Sequence, residues 1–329
     1  MTPVKPHAEQ RPSGPQLTLT HQKALDLGLR HHSAGDLSTA KDIYQKILQA
    51  DPKHTDALHL LGVISYQVGE NERAVDLISK VLATKPDFAQ AHCNLGIALK
   101  KLGRPDEAVA SYNKAIGIKP DYAEAHYNLA NAFQELGKPH EAMDNYQKAL
   151  AIAPQYAKAH NNLGIVRHDL GNLDEAIDSY RKAIAIKPDF AEFHCNIGVT
   201  YQGQGKLVEA VASYREALSI QSDYVQAGRN LLLGLLYLPG LSPEEHFIEN
   251  LHFSDNLTRD FPRATGNLTN EPIPDRPLRV GYLSSDFWDH PVGRNVLPLL
   301  SSHDREKFEI YCYANVRRPD AITERFRSC

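Results

Sequence analysis

Residues 89–122 read AQAHCNLGIALKKLGRPDEAVASYNKAIGIKPDY, and residues 123–156 read AEAHYNLANAFQELGKPHEAMDNYQKALAIAPQY. Both blocks are 34 residues long, and their landmark residues stand at matching positions. The same period continues on either side, with prolines at 52, 86, 120, 154 and 188, glycines at 35, 69, 103, 137, 171 and 205, and alanines at 40, 74, 108, 142, 176 and 210. Because three residue types hold one period, the sequence predicts tandem copies of one supersecondary unit.

Each landmark has a physical reason if a block folds as a helix, a tight turn and a second helix. The glycine ends the first helix, where a left-handed residue is needed. A small residue in the first helix, such as Gly96, and an alanine in the second, such as Ala108, let the two helices pack closely, and a tyrosine such as Tyr112 fills the space beside them. The proline stops the second helix before the next block begins.

A period of 34 with these landmarks resembles the tetratricopeptide repeat family. The resemblance implies a mostly α fold, a right-handed α–α solenoid. The landmarks define six repeats, at 21–54, 55–88, 89–122, 123–156, 157–190 and 191–224. Residues 225–261 are predicted to form capping and linker helices, which a solenoid needs at its end.

Composition narrows the classes of partner and compartment. The chain carries 40 acidic and 36 basic residues without a basic stripe, which argues against nucleic-acid binding. Its longest apolar stretch, 231–238, is too short to cross a membrane. Four cysteines without metal-ligand spacing, and no secretory signal, predict a cytoplasmic protein, or a nucleocytoplasmic one in a eukaryote. The proline-rich residues 1–20 are predicted to be a disordered tail, with a proline-motif ligand as the alternative.

One column of asparagines suggests a binding groove. Five consecutive units carry asparagine at one repeat position, which in the first four lies two residues before the small residue of the first helix: Asn94, Asn128, Asn162, Asn196 and Asn230. A carboxamide both donates and accepts hydrogen bonds, so a ladder of them could hold the backbone of an extended peptide in the concave groove of the solenoid. The alternative is that these amides only link neighbouring repeats. Leu60 interrupts the column in the second repeat.

A second column consists of histidines, at His92, His126, His160 and His194. Neighbouring helices pack about 8–10 Å apart, which is too far for histidines one repeat apart to share a metal ion. The column is therefore predicted to serve packing, in place of an aromatic residue.

The pattern changes after Pro239. Residues 243–260 are predicted to be a helix capped by Ser242, and residues 262–277 are predicted to be a linker. Strands are predicted at 278–284 and 307–315, with a helix between them at 292–302, which is the start of a βαβ unit. Since ligands bind at the carboxyl ends of such strands, the loop SDFWDHPVGRN places His290, Gly293 and Arg294 where chemistry is expected.

At these residues the chain resembles the protein O-GlcNAc transferase family, including its SPINDLY-like relatives. The resemblance rests on LRVGYLSSDFWDHPVG, with its core Asp286-Phe287-x-x-His290-Pro291, on KFEIYCYA, and on repeats such as AHCNLG. It implies a tetratricopeptide superhelix joined to a Rossmann-like α/β glycosyltransferase of GT-B type, of which residues 278–329 would be the incomplete first part.

The family resemblance implies transfer of N-acetylglucosamine from UDP-GlcNAc to serine or threonine hydroxyls, by an inverting mechanism without a required metal or other cofactor. The histidine of the family motif corresponds to His290, as a general base or as a positioner of donor or acceptor. Both roles suit a group that titrates near neutral pH, and the alternative is a structural loop histidine. Asp286 is expected to be structural, and Arg294 is not expected to bind the nucleotide.

Several alternatives remain open at this point. The repeats are predicted to bind protein or peptide substrates, and the nucleotide sugar is expected to bind only in the complete enzyme, so the chain alone is predicted to be an inactive fragment. The alternative is a non-catalytic tetratricopeptide scaffold. The donor sugar, GlcNAc or fucose, and homodimerisation of the solenoid are not decided by the sequence.

Overall fold

A computed structural model describes residues 15–258, 277–316 and 319–327. Within these ranges the chain forms sixteen helices and one two-stranded sheet, divided between two compact units, 1–261 and 262–329. The predicted linker, 262–277, lies outside the described residues except for Pro277. No helix in the described ranges is long and apolar enough to cross a membrane.

The first unit is a row of helix pairs. Twelve of its described helices form the six predicted repeats, with three residues between the helices of a pair. The helices are α1 (Pro15–Ser33), α2 (Leu37–Ala50), α3 (Thr55–Gln67), α4 (Asn71–Thr84), α5 (Ala89–Lys101), α6 (Pro105–Ile118), α7 (Ala123–Glu135), α8 (Pro139–Ile152), α9 (Ala157–Asp169), α10 (Leu173–Ile186), α11 (Ala191–Gly203) and α12 (Leu207–Ile220). The prediction of a mostly α solenoid is confirmed.

The turn inside each pair depends on its glycine. All six turn glycines have φ between 68° and 87°, and no other residue type among the described residues has positive φ. At Gly103, for example, the backbone N–H donates to Lys100 O at 3.0 Å, which closes the end of α5. The left-handed position therefore explains why the glycine holds the 34-residue period.

Close packing between the two helices explains the other landmarks. A Cβ added to Gly96 would lie 2.5 Å from the ring of Tyr112, which is fully buried. The same contact recurs between Gly164 and Tyr180 at 2.6 Å. The small residue and the large side chain opposite it are therefore two sides of one contact, and in the second repeat Ile78 takes the place of the tyrosine, 2.7 Å from a Cβ added to Gly62.

The histidine column has a hydrogen-bonding role that its spacing did not reveal. In each case Nε2 lies within hydrogen-bond distance of the backbone oxygen of the proline six residues earlier, at 2.8, 3.2, 2.9 and 2.8 Å for His92, His126, His160 and His194. A carbonyl can only accept, so Nε2 carries the proton. Each histidine thus ties the loop between two repeats to the helix that follows it.

The predicted C-terminal limit of the disordered tail, residue 20, is wrong. Helix α1 begins at Pro15, so residues 15–20 are helical rather than disordered. Proline is favourable in the first turn of a helix, because the N–H that it lacks would have no partner there. Residues 1–14 lie outside the described residues.

Two further helices follow the repeats, α13 (Val225–Tyr237) and α14 (Pro243–Thr258). Helix α14 starts with the predicted cap: Glu245 N–H donates to Ser242 Oγ at 3.2 Å, and Ser242 N–H donates to Glu245 Oε2 at 2.8 Å. This reciprocal pair is a capping box, which satisfies two backbone donors that a helix start leaves free.

The second unit contains β1 (Leu278–Ser284), α15 (Pro291–Ser301), β2 (Phe308–Ala314) and α16 (Ala321–Arg327). The strands pair in parallel, with Leu278 opposite Phe308 and Ser284 opposite Ala314. The predicted strand–helix–strand order is confirmed, with the helix one residue earlier and the second strand one residue shorter at each end. A small core joins the elements, made of Phe287, Leu297, Leu300 and Phe326.

Candidate functional site

The side chains of the asparagine column form hydrogen bonds to the preceding repeat. Each Nδ2 contacts a residue 35 positions earlier, on the first helix of the preceding repeat. The partners are His59 Nε2 for Asn94 (2.9 Å), Cys93 Sγ for Asn128 (3.7 Å), Tyr127 Oη for Asn162 (3.2 Å), Asn161 Oδ1 for Asn196 (3.0 Å) and Cys195 Sγ for Asn230 (3.9 Å). These contacts are the ones expected if the amides link neighbouring repeats. Peptide binding by the column stays a prediction.

The column differs along its length. Asn94 is buried, with 6% of its surface exposed, whereas the other four asparagines are half-buried. Asn162 is the most connected, since its amide also donates to Asn131 Oδ1 at 3.0 Å. Its carbonyl oxygen accepts from Asn161 at 3.2 Å, so a peptide would have to share or displace these bonds.

Chemistry-bearing side chains in the second unit gather on the loop that follows β1. Asp286 N–H donates to Ser284 Oγ at 3.0 Å, which turns the chain out of the strand. Phe287 is buried and stacks on Phe326 with ring centroids 4.5 Å apart. The loop is thus anchored at its centre by a core residue, and the polar residues on either side reach the surface.

His290 lies at the end of this loop as the N-cap of α15. Its Nδ1 accepts a hydrogen bond from Val292 N–H at 3.3 Å. In the neutral ring the proton is therefore on Nε2, because a nitrogen that accepts cannot also carry the proton. Its ring packs beside Trp288 with centroids 5.5 Å apart, and Asp286 Oδ2 lies 4.0 Å from Nδ1.

The two neighbours of His290 that sequence analysis selected have other contacts. Gly293 is a packing residue: a Cβ there would lie 2.3 Å from Trp288 O and 2.7 Å from Asp286 O, so only glycine lets the loop cross the start of α15. Arg294 is exposed, and its Nε lies 2.5 Å from Asp289 Oδ1. That hydrogen bond holds the pKa of the Asp289 carboxyl below its usual value.

Sequence reasoning missed Asp320. Its Oδ1 accepts from Thr323 N–H at 2.9 Å at the start of α16, and its Oδ2 accepts from Asp289 N–H at 2.6 Å. The sequence Asp-x-x-Thr signals a helix cap, but the contact with Asp289 joins residues 31 apart and leaves no local pattern.

Within the described ranges no group of three or more histidine, cysteine, aspartate or glutamate side chains is arranged to hold a metal ion. The asparagine column and the His290 loop belong to different compact units, and each is a candidate site by itself.

Comparison with known families decides the identity of the first unit. Models described as tetratricopeptide repeats match residues 31–95, 100–137, 123–156, 145–178, 166–205 and 191–224. Together these ranges cover more than half of the sequence. The chain is a tetratricopeptide repeat protein. One of the models matches 123–156 and 191–224, which are the limits predicted for the fourth and sixth repeats.

The second unit matches a different model, glycosyl transferase family 41, over residues 264–328. This match confirms the resemblance of the tetratricopeptide repeat protein to the protein O-GlcNAc transferase family. The resemblance rests on both the repeats and the loop after β1.

Similar proteins agree with this assignment. Probable UDP-N-acetylglucosamine–peptide N-acetylglucosaminyltransferase SPINDLY of Arabidopsis thaliana is 34% identical over 101 residues, which cover 31% of this chain and 11% of that protein. The protein of the same description from Solanum lycopersicum is 30% identical over the same length and the same shares. The matched stretch therefore spans about a tenth of the length of these relatives.

Among solved structures, the pilF protein of Pseudomonas aeruginosa is similar with a TM-score of 0.58 and 18% identity, over 65% of this chain and 97% of that one. At this identity the likeness shows the fold alone.

Proposed function

We propose that this tetratricopeptide repeat protein is part of a protein O-GlcNAc transferase, which transfers N-acetylglucosamine from UDP-GlcNAc to serine or threonine hydroxyls of proteins. The observation that carries the proposal is the family 41 match over the segment in which His290 ends the loop at the carboxyl end of β1. The repeats would bind the protein substrates, and the enzyme would work in the cytoplasm, without a metal ion or other cofactor.

For His290 we propose a positioning role rather than that of a general base. A base must present an unprotonated nitrogen to the acceptor hydroxyl. Because Nδ1 already accepts from Val292 N–H, the neutral ring offers Nε2–H, which is a hydrogen-bond donor. Such a donor suits an oxygen of the nucleotide sugar or of the acceptor, and holding it in place lowers the barrier without a proton transfer to the ring.

The donor is tested by transfer assays on the longest reading frame that contains this chain. With UDP-GlcNAc we expect labelled sugar on serine or threonine of acceptor proteins, and with GDP-fucose none. Transfer of fucose instead would show that the donor is GDP-fucose rather than UDP-GlcNAc. Absence of transfer from both donors would reject the enzyme proposal and favour the non-catalytic scaffold.

The 329-residue chain by itself is expected to transfer no sugar in the same assay, since its match to the glycosyltransferase model is confined to residues 264–328. Sugar transfer by the purified chain would contradict this expectation.

The peptide-binding role of the asparagine column needs its own test. We propose titration of an extended acceptor peptide into the chain and into a variant with Asn128, Asn162 and Asn196 all replaced by alanine. Weaker binding at unchanged stability would support the ladder. Unchanged affinity at unchanged stability would reject it, and a loss of stability would favour the inter-repeat role, in line with the hydrogen bonds described above.

A further inference from the structure

Asp320 bridges two parts of the second unit that follow different strands. One carboxylate oxygen, Oδ1, accepts from Thr323 N–H at 2.9 Å and from Thr323 Oγ1 at 3.2 Å, which caps α16. The other oxygen, Oδ2, accepts from Asp289 N–H at 2.6 Å. A single side chain therefore fixes the start of α16 and the loop after β1 at the same time.

The bond to Asp289 bears directly on His290, which is the next residue. We propose that Asp320 is a positioning residue. It holds the backbone of Asp289 and His290, and thereby keeps the His290 ring in the capping position from which it would act on the substrates. The inference rests on the proposed function, because it assigns Asp320 a part in the same site.

Other contacts also hold the loop near this point, including the hydrogen bond that His290 N–H donates to Trp288 O at 2.7 Å. The Arg294–Asp289 ion pair is exposed, with side-chain exposures of 65% and 51%, and exposed pairs contribute little. Phe287 anchors the loop three residues before His290, and Gly293 lets it pass over α15. At Asp289 itself, the described backbone N–H bond is the one to Asp320, and hydrogen bonds with a charged acceptor are the stronger kind.

The geometry predicts what His290 loses when the bond to Asp320 is removed. The Val292 N–H to Nδ1 contact is already long, at 3.3 Å, and depends on the backbone path of residues 289–292. With Asp289 released, the ring would leave its capping position for part of the time. Its neutral form would then divide between the Nδ1–H and Nε2–H tautomers, as in a free histidine.

The variant Asp320→Asn separates the two roles of the side chain. Asparagine caps helices about as well as aspartate, so its Oδ1 keeps the bond to Thr323 N–H. Its Nδ2 then faces Asp289 N–H, and two donors cannot pair. The matched control is Asp304→Asn, which changes a carboxylate that accepts from Glu306 N–H at 3.0 Å in the turn before β2, at the other end of the strands.

The test is carried out by NMR on the 329-residue chain. In Asp320→Asn we expect the Asp289 amide to exchange with solvent about tenfold faster, with Thr323 protection retained. We also expect the ¹⁵N shifts of the His290 ring to move toward those of a free histidine. The Asp304→Asn control should leave both unchanged. Unchanged His290 shifts in Asp320→Asn would overturn the proposal, whatever the activity of the longer protein.

The catalytic consequence is measured separately, in the longest reading frame, once that protein is shown to transfer sugar. Asp320→Asn should lower kcat about tenfold with the KM for the acceptor peptide unchanged, because positioning acts on the reacting geometry. An unchanged kcat, or a fall that Asp304→Asn matches, would overturn the positioning role. Absence of transfer in the parent protein would count against the proposed function and would leave the NMR result to decide on Asp320.

Discussion

The unit that contains the repeats, 1–261 (the repeat unit), and the unit that matches the family 41 model, 262–329 (the family 41 unit), are specified by their sequences in different ways. In the repeats the deciding contacts join residues that are close in sequence, and they recur. Gly96 and Tyr112 are 16 positions apart, and the equivalent contact is formed by Gly164 and Tyr180. In the family 41 unit the deciding contact, Asp320 to Asp289, joins residues 31 apart and occurs once. A contact that recurs appears in the sequence as a period, whereas a single long-range contact produces no sequence pattern.

The small core of the family 41 unit gives the largest expected effect. Phe326 is buried and stacks on Phe287, so Phe326→Ala should destabilise that unit by about 3–5 kcal/mol. Every residue of this core cluster lies in that unit, so we expect NMR signals of 278–327 to collapse while those of the repeats persist.

The control for that change is Phe247→Ala on α14, where the ring is 62% exposed. It should alter stability by less than about 0.5 kcal/mol. Well-dispersed signals for 278–327 in Phe326→Ala would contradict the claim that this core holds the unit together.

Acid should affect the repeats at one buried histidine. Burial lowers the pKa of His59 from 6.5 to about 4, and its Nε2 accepts from Asn94. The folded protein therefore binds this proton less readily than the unfolded chain. The stability that His59 contributes is complete above pH 6.5 and is lost as the pH falls toward 4, by roughly 2.5 kcal/mol between pH 7.5 and 4.5.

The matched variant for this effect is His59→Asn, which copies the pair that Asn161 and Asn196 form in later repeats. Urea unfolding of both proteins at pH 7.5 and 4.5 gives the comparison. We expect the parent to lose more stability than the variant by that amount, and equal losses would show that His59 does not carry the acid sensitivity.

The recurring contact inside a repeat is tested at Gly96. Gly96→Ala would place a methyl group 2.5 Å from the Tyr112 ring, and the resulting overpacking should cost about 2 kcal/mol. A Cβ added to Gly117 in α6 would meet no atom within 4 Å apart from its chain neighbours and the nearby backbone of its own helix, so Gly117→Ala should instead stabilise the protein by about 0.5 kcal/mol. Urea unfolding measures both, and equal effects at the two glycines would refute the packing explanation of the period.

The smallest effect distinguishes two tyrosines that share one repeat position. Tyr146 Oη donates to Asn131 Oδ1 at 2.5 Å and contacts Gln134, whereas Tyr112 Oη is buried without a hydrogen-bond partner among the described residues. Tyr146→Phe should cost about 1 kcal/mol, and Tyr112→Phe should be neutral or slightly stabilising. A larger loss at Tyr112 would show that its hydroxyl has a partner after all.

These contacts explain how much the sequence could predict. The repeat limits, the turn glycines and the contact between small residue and tyrosine follow from periodicity, because the same local geometry recurs from repeat to repeat, with Ile78 in place of the tyrosine in the second repeat. The apolar runs at 278–284 and 307–315 predict the two strands, which lie at 278–284 and 308–314, and the Asp286 to Pro291 motif indicates the family.

Other contacts needed the structure. The bond from His92 to the oxygen of Pro86 uses a backbone atom, which has no sequence signature. The partners of the asparagine column differ in type from repeat to repeat, including His59, Cys93 and Tyr127, so no pattern announces them. The Asp320 contact depends on how two loops meet at one edge of a sheet.

The central claim is that the loop after β1 carries the chemistry of a glycosyltransferase. The most direct test is the rate of GlcNAc transfer from UDP-GlcNAc by the longest reading frame that contains this chain, compared with its His290→Ala variant. The control is His303→Ala, a histidine of the same unit whose Nε2 lies 2.8 Å from Tyr282 Oη. We predict a loss of at least about a hundredfold for His290→Ala and less than about threefold for His303→Ala. A His290→Ala protein that transfers sugar at the parent rate would contradict the account.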